Sequence, residues 1–186
     1  LPKAVFVEAM TAKEAAAWAV RNDLADFADY AGCKPDVANA FNRSVFAHLQ
    51  EFPGLRPGLK FVGTCQAQVA RWREFEIERY MEQLRKANPS LADFDWRSIA
   101  EQAVKPLRVG NQFAQAWNQA NAGGVAVNRK WAADVAAFQS SLTQSASVRW
   151  NPVGCATIKS VADHEMGHML DHALDLRVDG DVIAAY

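Results

Sequence analysis

The sequence predicts an α+β fold, with several helices around a small mixed or antiparallel sheet and a functional helix near the C-terminus. Three observations lead there. Long stretches carry apolar residues at helical spacing behind recognisable start signals. Short β-prone segments fall between them at irregular intervals, without the strict strand–helix alternation of a parallel α/β sheet. One late helical stretch, 161–174, holds three of the chain's four histidines.

Taken in order, "AVFV" (4–7) is a short β-prone piece. Thr11 with Glu14 three residues on is a capping-box start to an alanine-rich helix. Pro35 opens a second helix through Glu51, with Val37, Phe41, Val45 and Leu49 on one face. "FPGLRPG" (52–58) is turn material, and "LKFVGTC" (59–65) reads as a strand. A long charged helix spans about 66–86. Its Arg71, Arg73, Arg79, Arg85 and Lys86 interleave with Glu74, Glu76, Glu78 and Glu82, the pattern of a solvated face paired at helical spacing. A loop and a further helix follow, with Ser90 and Asp93 as candidate caps. Phe113–Ala120 is extended chain or a helix end, and Gly123–Arg129 is a strand opened by paired glycines. Trp131–Leu142 is a helix, and "SVRWNPVG" (147–154) is a strand ending in a turn. Ser160 with Asp163 starts the last helix, expected to reach about Leu176 with Gly180 beyond it.

Composition narrows the function. The net charge of −1 over 186 residues argues against a nucleic-acid-binding surface. No apolar run reaches membrane-spanning length, and no signal peptide is visible. Three widely spaced cysteines, Cys33, Cys65 and Cys155, fit a reducing compartment better than a disulfide framework. Cys155 reads as a structural thiol.

The histidine stretch carries the chemistry. His164 and His168 are four apart, so on a helix both imidazoles face one way, about 6 Å apart along the axis. That lets two ring nitrogens reach one ion at about 2.0–2.1 Å. Glu165 is rotated about 100° from His164 and flanks the ion without binding it. The pattern His164-Glu165-Met166-Gly167-His168 is H-E-x-x-H. Its chemistry is hydrolysis by zinc-activated water with the glutamate as general base. Gly167, in mid-helix, suggests another backbone crossing close by. His172 lies about 12 Å along the helix from His164 and is excluded as a ligand of the same ion. Asp171, seven residues after His164, is a candidate for orienting a ligand histidine or for bonding a nearby amide.

At these residues the chain resembles a zincin metallopeptidase, and "DHEMGHMLDHALDL" resembles the anthrax-lethal-factor-like branch of zincins. "FVEAMTAKEAAAWA", "DYAG", "VANAFNRSVFAHLQEFPGL", "GGVAVN" and "WNPVG" extend the similarity to the metallopeptidase-like domain of phage minor head or head-morphogenesis proteins and their prophage relatives. The resemblance implies a zincin-like fold and a zinc metallopeptidase of gluzincin type. Zn2+ is held by His164 and His168, with Glu165 as general base. It also implies an edge strand that pairs with an extended peptide or protein substrate, for which Gly124, Val125 and Ala126 are the candidates.

The family's third ligand, usually a glutamate from a later helix, has no counterpart among the eighteen residues after His168. Asp175 is expected on the helix and pointing away. Asp179 and Asp181 are weak substitutes, and Tyr186 stands where the family's tyrosine falls. The expectation is a ligand beyond Tyr186 and a single domain, 1–186, that is a fragment of a longer polypeptide. Within it, 1–110 is mainly helical and 111–186 supplies the sheet and the motif helix. Phage structural proteins are further candidate partners, in the host cytoplasm or the virion. A catalytically inactive head-protein module and an effector or toxin peptidase are the alternatives.

Overall fold

The computed structural model describes residues 5–91, 94–150 and 154–176. Four strands form one mixed sheet: β1 (Phe27–Asp29), β2 (Phe61–Thr64), β3 (Ala114–Trp117) and β4 (Gly124–Val127). Their spatial order is β1-β2-β4-β3, with β1, β2 and β4 parallel and β3 antiparallel to β4. The described helices are α1 (Ala12–Arg21), α2 (Pro35–Glu51), α3 (Cys65–Ala87), α4 (Arg97–Ala103), α5 (Arg129–Ala132), α6 (Val135–Ser147) and α7 (Ile158–Leu174). The α+β class with a small mixed sheet is as expected.

The helices form where local chemistry starts them. The Thr11 hydroxyl accepts the Glu14 N–H at 3.1 Å and opens α1, while the Glu14 carboxylate takes the N–H of Met10. Pro35 sits at the first turn of α2, whose Val37, Phe41 and Val45 are fully buried. The opposite side of α2 carries buried polar groups that tie it to its neighbours. Asn42 accepts the Tyr30 hydroxyl at 2.8 Å and donates to Ala15 O, and Asn39 bonds both N–H and C=O of Ala9. Along α3, Arg79–Glu76 and Lys86–Glu82 pair as the charge pattern predicts. Arg73 instead reaches the carbonyls of Glu101 and Val104 and seats α4.

The sheet divides the core. Val62, Val125, Val127 and Ala114 face a large cluster supplied by α1, α2, α6 and α7. Phe61 and Ala126 face Cys65 and Ala67 of α3 on the other side. Gly124 opens β4 at φ +135°, where a Cβ would lie 1.9 Å from Phe61 O, so no other residue fits this strand junction.

Several expectations are corrected. The described residues of the first β-prone piece, 5–7, form no strand; Phe6 packs against Trp18 and Phe46 instead. The helix expected over Trp131–Leu142 is two helices, because Asp134 breaks off α5 and caps α6 through Ala137 N. Residues 148–150 are the C-terminal exit of α6, with Arg149 at φ +55°, and not a strand. Asp93 lies outside the described residues, and Ser90 sits inside a short 3-10 turn; Asp95 Oδ1 takes the Arg97 N–H at the start of α4. Strands β1 and β2 come from the part of the chain expected to be mainly helical, so the sheet joins both parts.

Edge strand β3 is placed by side chains. Asn128 is buried; its Nδ2 donates to Gly110 O and Gln112 O, and its Oδ1 accepts from Lys130 N and Gln66 Nε2. Gln68, also buried, donates to Ala122 O at 2.7 Å and accepts from Gln115 Nε2 at 2.8 Å. Asn128→Ala leaves two carbonyls and two N–H donors short of a buried partner. It is expected to cost about 3 kcal/mol in urea unfolding, against a few tenths for the exposed Ser98→Ala.

Candidate metal centre

Helix α7 presents the histidines. It is started by a complete capping box one turn earlier than Ser160 suggested. The Thr157 hydroxyl accepts the Ser160 N–H at 3.1 Å, and Ser160 Oγ takes the Thr157 N–H at 2.9 Å. It ends at Leu174, two residues short of the expected limit, because Asp175 turns into the left-handed region at φ +51°. Asp175 is therefore the C-cap and not a helical residue. Gly180, Asp179, Asp181 and Tyr186 lie outside the described residues.

The helical spacing places the two imidazoles together. The Nε2 atoms of His164 and His168 are 3.1 Å apart, and the rings meet edge to face with centroids 4.6 Å apart. Two nitrogens at that separation subtend about 100° at an ion about 2.0–2.1 Å from each, close to tetrahedral. His164 is half-buried and His168 is exposed. Burial, and then the neighbouring His168, hold the His164 ring below the ordinary histidine range, so its lone pair is free of a proton at neutral pH. The pair fits a divalent cation and supplies two of the three protein donors a catalytic zinc uses. Among the described residues, no group of three or more His, Cys, Asp or Glu side chains converges on one point.

Glu165 lies beside this pair on the buried side of α7, 8% exposed. Its partner is the backbone of strand β3. Phe113 and Asn128 form one bonded step of the β3–β4 ladder. In the observed register, Ala114 and Ala116 are therefore the residues whose N–H and C=O groups turn away from β4, to the free edge of the sheet. The Ala116 N–H meets the Glu165 carboxylate there. Burial pushes the Glu165 carboxyl up to about 7, and the Ala116 bond offsets this only in part. A carboxyl near neutrality suits a group that takes and returns a proton.

The remaining candidates separate. Gly124, Val125 and Ala126 form β4, which is buried and hydrogen-bonded on both sides between β2 and β3. A central strand has no free ladder to offer, so the edge-strand role passes to β3. Gly167 is exposed, and a Cβ built on it meets nothing within 4 Å, so among the described residues no backbone crosses there. His172 is exposed at the far end of α7, and Asp171 is half-buried one turn beyond Gly167. Cys65 and Cys155 are both pushed up by burial and by the Glu165 charge, Cys65 to about 12, so neither is an activated thiol. Sequence reasoning missed Ala116 as part of the site. A backbone N–H has no residue-type signature, and only the extended reading of 113–120 pointed near it.

The chain matches no protein-family model, no curated protein and no solved structure. Among the described residues, no helix is long and apolar enough to cross a membrane.

Two measurements check this geometry. Gly167→Ala is expected to raise stability by about 1 kcal/mol in denaturant unfolding, since the site is open and alanine is the better helix former. Glu165→Gln keeps an acceptor for Ala116 and removes the buried charge. The native carboxyl titrates near 7 against 4.5 unfolded, so its penalty grows as pH rises from 4.5 to 7 and is complete above 7. With chelator present, the variant should exceed wild type by about 3 kcal/mol at pH 8, and by nothing near pH 4. His164 works in the opposite sense in both proteins, costing stability as pH falls through the histidine range, and cancels in the difference.

Proposed function

We propose that this chain is a zinc metallopeptidase domain of zincin-like fold, related to the metallopeptidase-like domains of phage minor head proteins. The observation that carries the reading is the pair of Nε2 atoms 3.1 Å apart on one helical face, with a buried carboxylate one residue away against a sheet edge. His164 and His168 would hold the ion. Bound zinc supplies acidification of a water and polarisation of a scissile carbonyl.

The rest is the work of the chain itself. Glu165 accepts a proton and passes it to the departing amine, a role that its carboxyl, pushed up to about 7 by burial, and its shelter from solvent both favour. The outward C=O of half-buried Ala116, whose N–H meets Glu165, offers an extended peptide a main-chain partner at the edge of β3. The substrate class is accordingly a peptide in extended form. Phage structural proteins are the partners that the sequence resemblance favours. A buried acid beside the histidines favours an enzyme over a head-protein module, because a structural zinc is closed by four protein ligands and uses no base.

The test combines metal and turnover. Wild type and Glu165→Gln should bind zinc alike by calorimetry, while His164→Ala binds at least about 100-fold more weakly. Cleavage of denatured casein should fall by about 10²–10⁴ in Glu165→Gln. Equal cleavage by wild type and Glu165→Gln would remove the carboxylate from the reaction.

A further inference from the structure

Helix α7 is held from two sides by directional bonds. On the sheet side, the Glu165 carboxylate takes the Ala116 N–H. On the α2 side, the Ser44 hydroxyl donates to Asp163 Oδ1 at 2.7 Å, and Lys159 Nζ reaches Asp163 Oδ2 at 2.6 Å. Ser44 is fully buried, and 119 positions separate it from Asp163 in the chain. Asp163 immediately precedes His164. At about 100° per residue it points about 100° away from His164 and about 140° away from His168, so it acts on them only through the helix.

Apolar packing alone leaves the rotation of α7 loosely specified. Its buried apolar face is Val161, Ala162, Met166 and Met169. Alanine has no length to interlock, and methionine is unbranched and adapts to shifted neighbours. A hydrogen bond from a buried hydroxyl to a charged acceptor is directional and among the stronger kinds. The Glu165 bond is directional too and fixes α7 on the sheet side, while the Ser44–Asp163 bond fixes it on the α2 side.

We infer that Ser44 and Asp163 are positioning residues whose hydrogen bond sets the rotation of α7 about its axis, and with it the shared direction of the His164 and His168 imidazoles. The inference rests on the zinc-site reading above. It assigns α2, the helix in most extensive contact with α7, a role in the metal site although it contributes no ligand. Lys159 sits on the solvent side of the same carboxylate, about half exposed, and adds charge without setting direction.

The experiment measures affinity for Zn2+ alone, by competition with a chromophoric chelator, beside stability measured in EDTA. Ser44→Ala and Asp163→Ala should each weaken zinc binding about tenfold, the size expected for groups that orient ligands from behind. Asp163→Asn keeps an acceptor for the Ser44 hydroxyl and should stay within about twofold of wild type, as should Lys159→Met. Val45→Ala, which removes buried volume from the same helix, should lower stability and leave zinc affinity unchanged. Wild-type zinc affinity in Ser44→Ala, or an equal loss in Val45→Ala, would overturn the positioning role while leaving the metal site standing. Failure of the wild-type protein to bind zinc would overturn both.

Discussion

A carboxylate buried against the free edge of a four-stranded sheet is the contact on which the site depends. Glu165 faces inward from α7 because the positions around it, Val161, Ala162, Met166 and Met169, belong to the core. Burying an acid there is unfavourable, and the one N–H that meets it only partly offsets the lost hydration. The sheet has its own unmet need, since an edge strand carries N–H groups without ladder partners. The two deficits meet at Ala116. With Glu165 pinned inward, His164 and His168 share the more exposed neighbouring face of α7.

Edge strand β3 has to be in place for any of this, and its four residues cannot hold themselves there. The ladder to β4 supplies one side. Asn128 ties the approach to the strand to the end of β4 and to α3, and Gln68 reaches from α3 to Gln115 on the strand itself. These amides are buried with both ends used, so they add direction to a junction that small residues alone would leave loose. The helix face follows the same logic. Buried polar side chains on α2, from Asn39 to Ser44, bind it to the N-terminal segment, to Tyr30 and to α7 in turn.

Sequence and structure agree where one chemical device decides one element. Pro35 and the apolar row behind it gave α2 its observed limits, and the Thr11–Glu14 box started α1. The errors fall where two devices compete. Ser160 and Asp163 look like a cap, yet Ser160 serves as the third residue of a box opened by Thr157, and Asp163 is spent on Ser44 and Lys159. Asp134 looks like one more polar helix residue, yet its side chain takes Ala137 N and divides the helix. "VRW" is β-prone in isolation, but a positive φ at Arg149 ends α6 there. Gly167 in mid-helix suggests close packing, yet among the described residues nothing lies within 4 Å of a Cβ built there.

By itself the sequence determined the spacing of the site: two histidines one turn apart and a glutamate between them, on a helix with apolar positions to seat it. Spacing on a helix is a local property, set by 3.6 residues per turn and legible without any other part of the chain. Which strand lies at the edge was decided only by the tertiary structure. Gly124–Val127 reads as a better strand than Ala114–Trp117, and for that reason it is central: its apolar residues fill both faces of the core, leaving the more polar segment outside. Strand order depends on contacts between residues far apart in the chain, and no local pattern carries it. The same is true of Ser44 and Asp163, whose meeting across 119 positions exists only once α2 and α7 have packed.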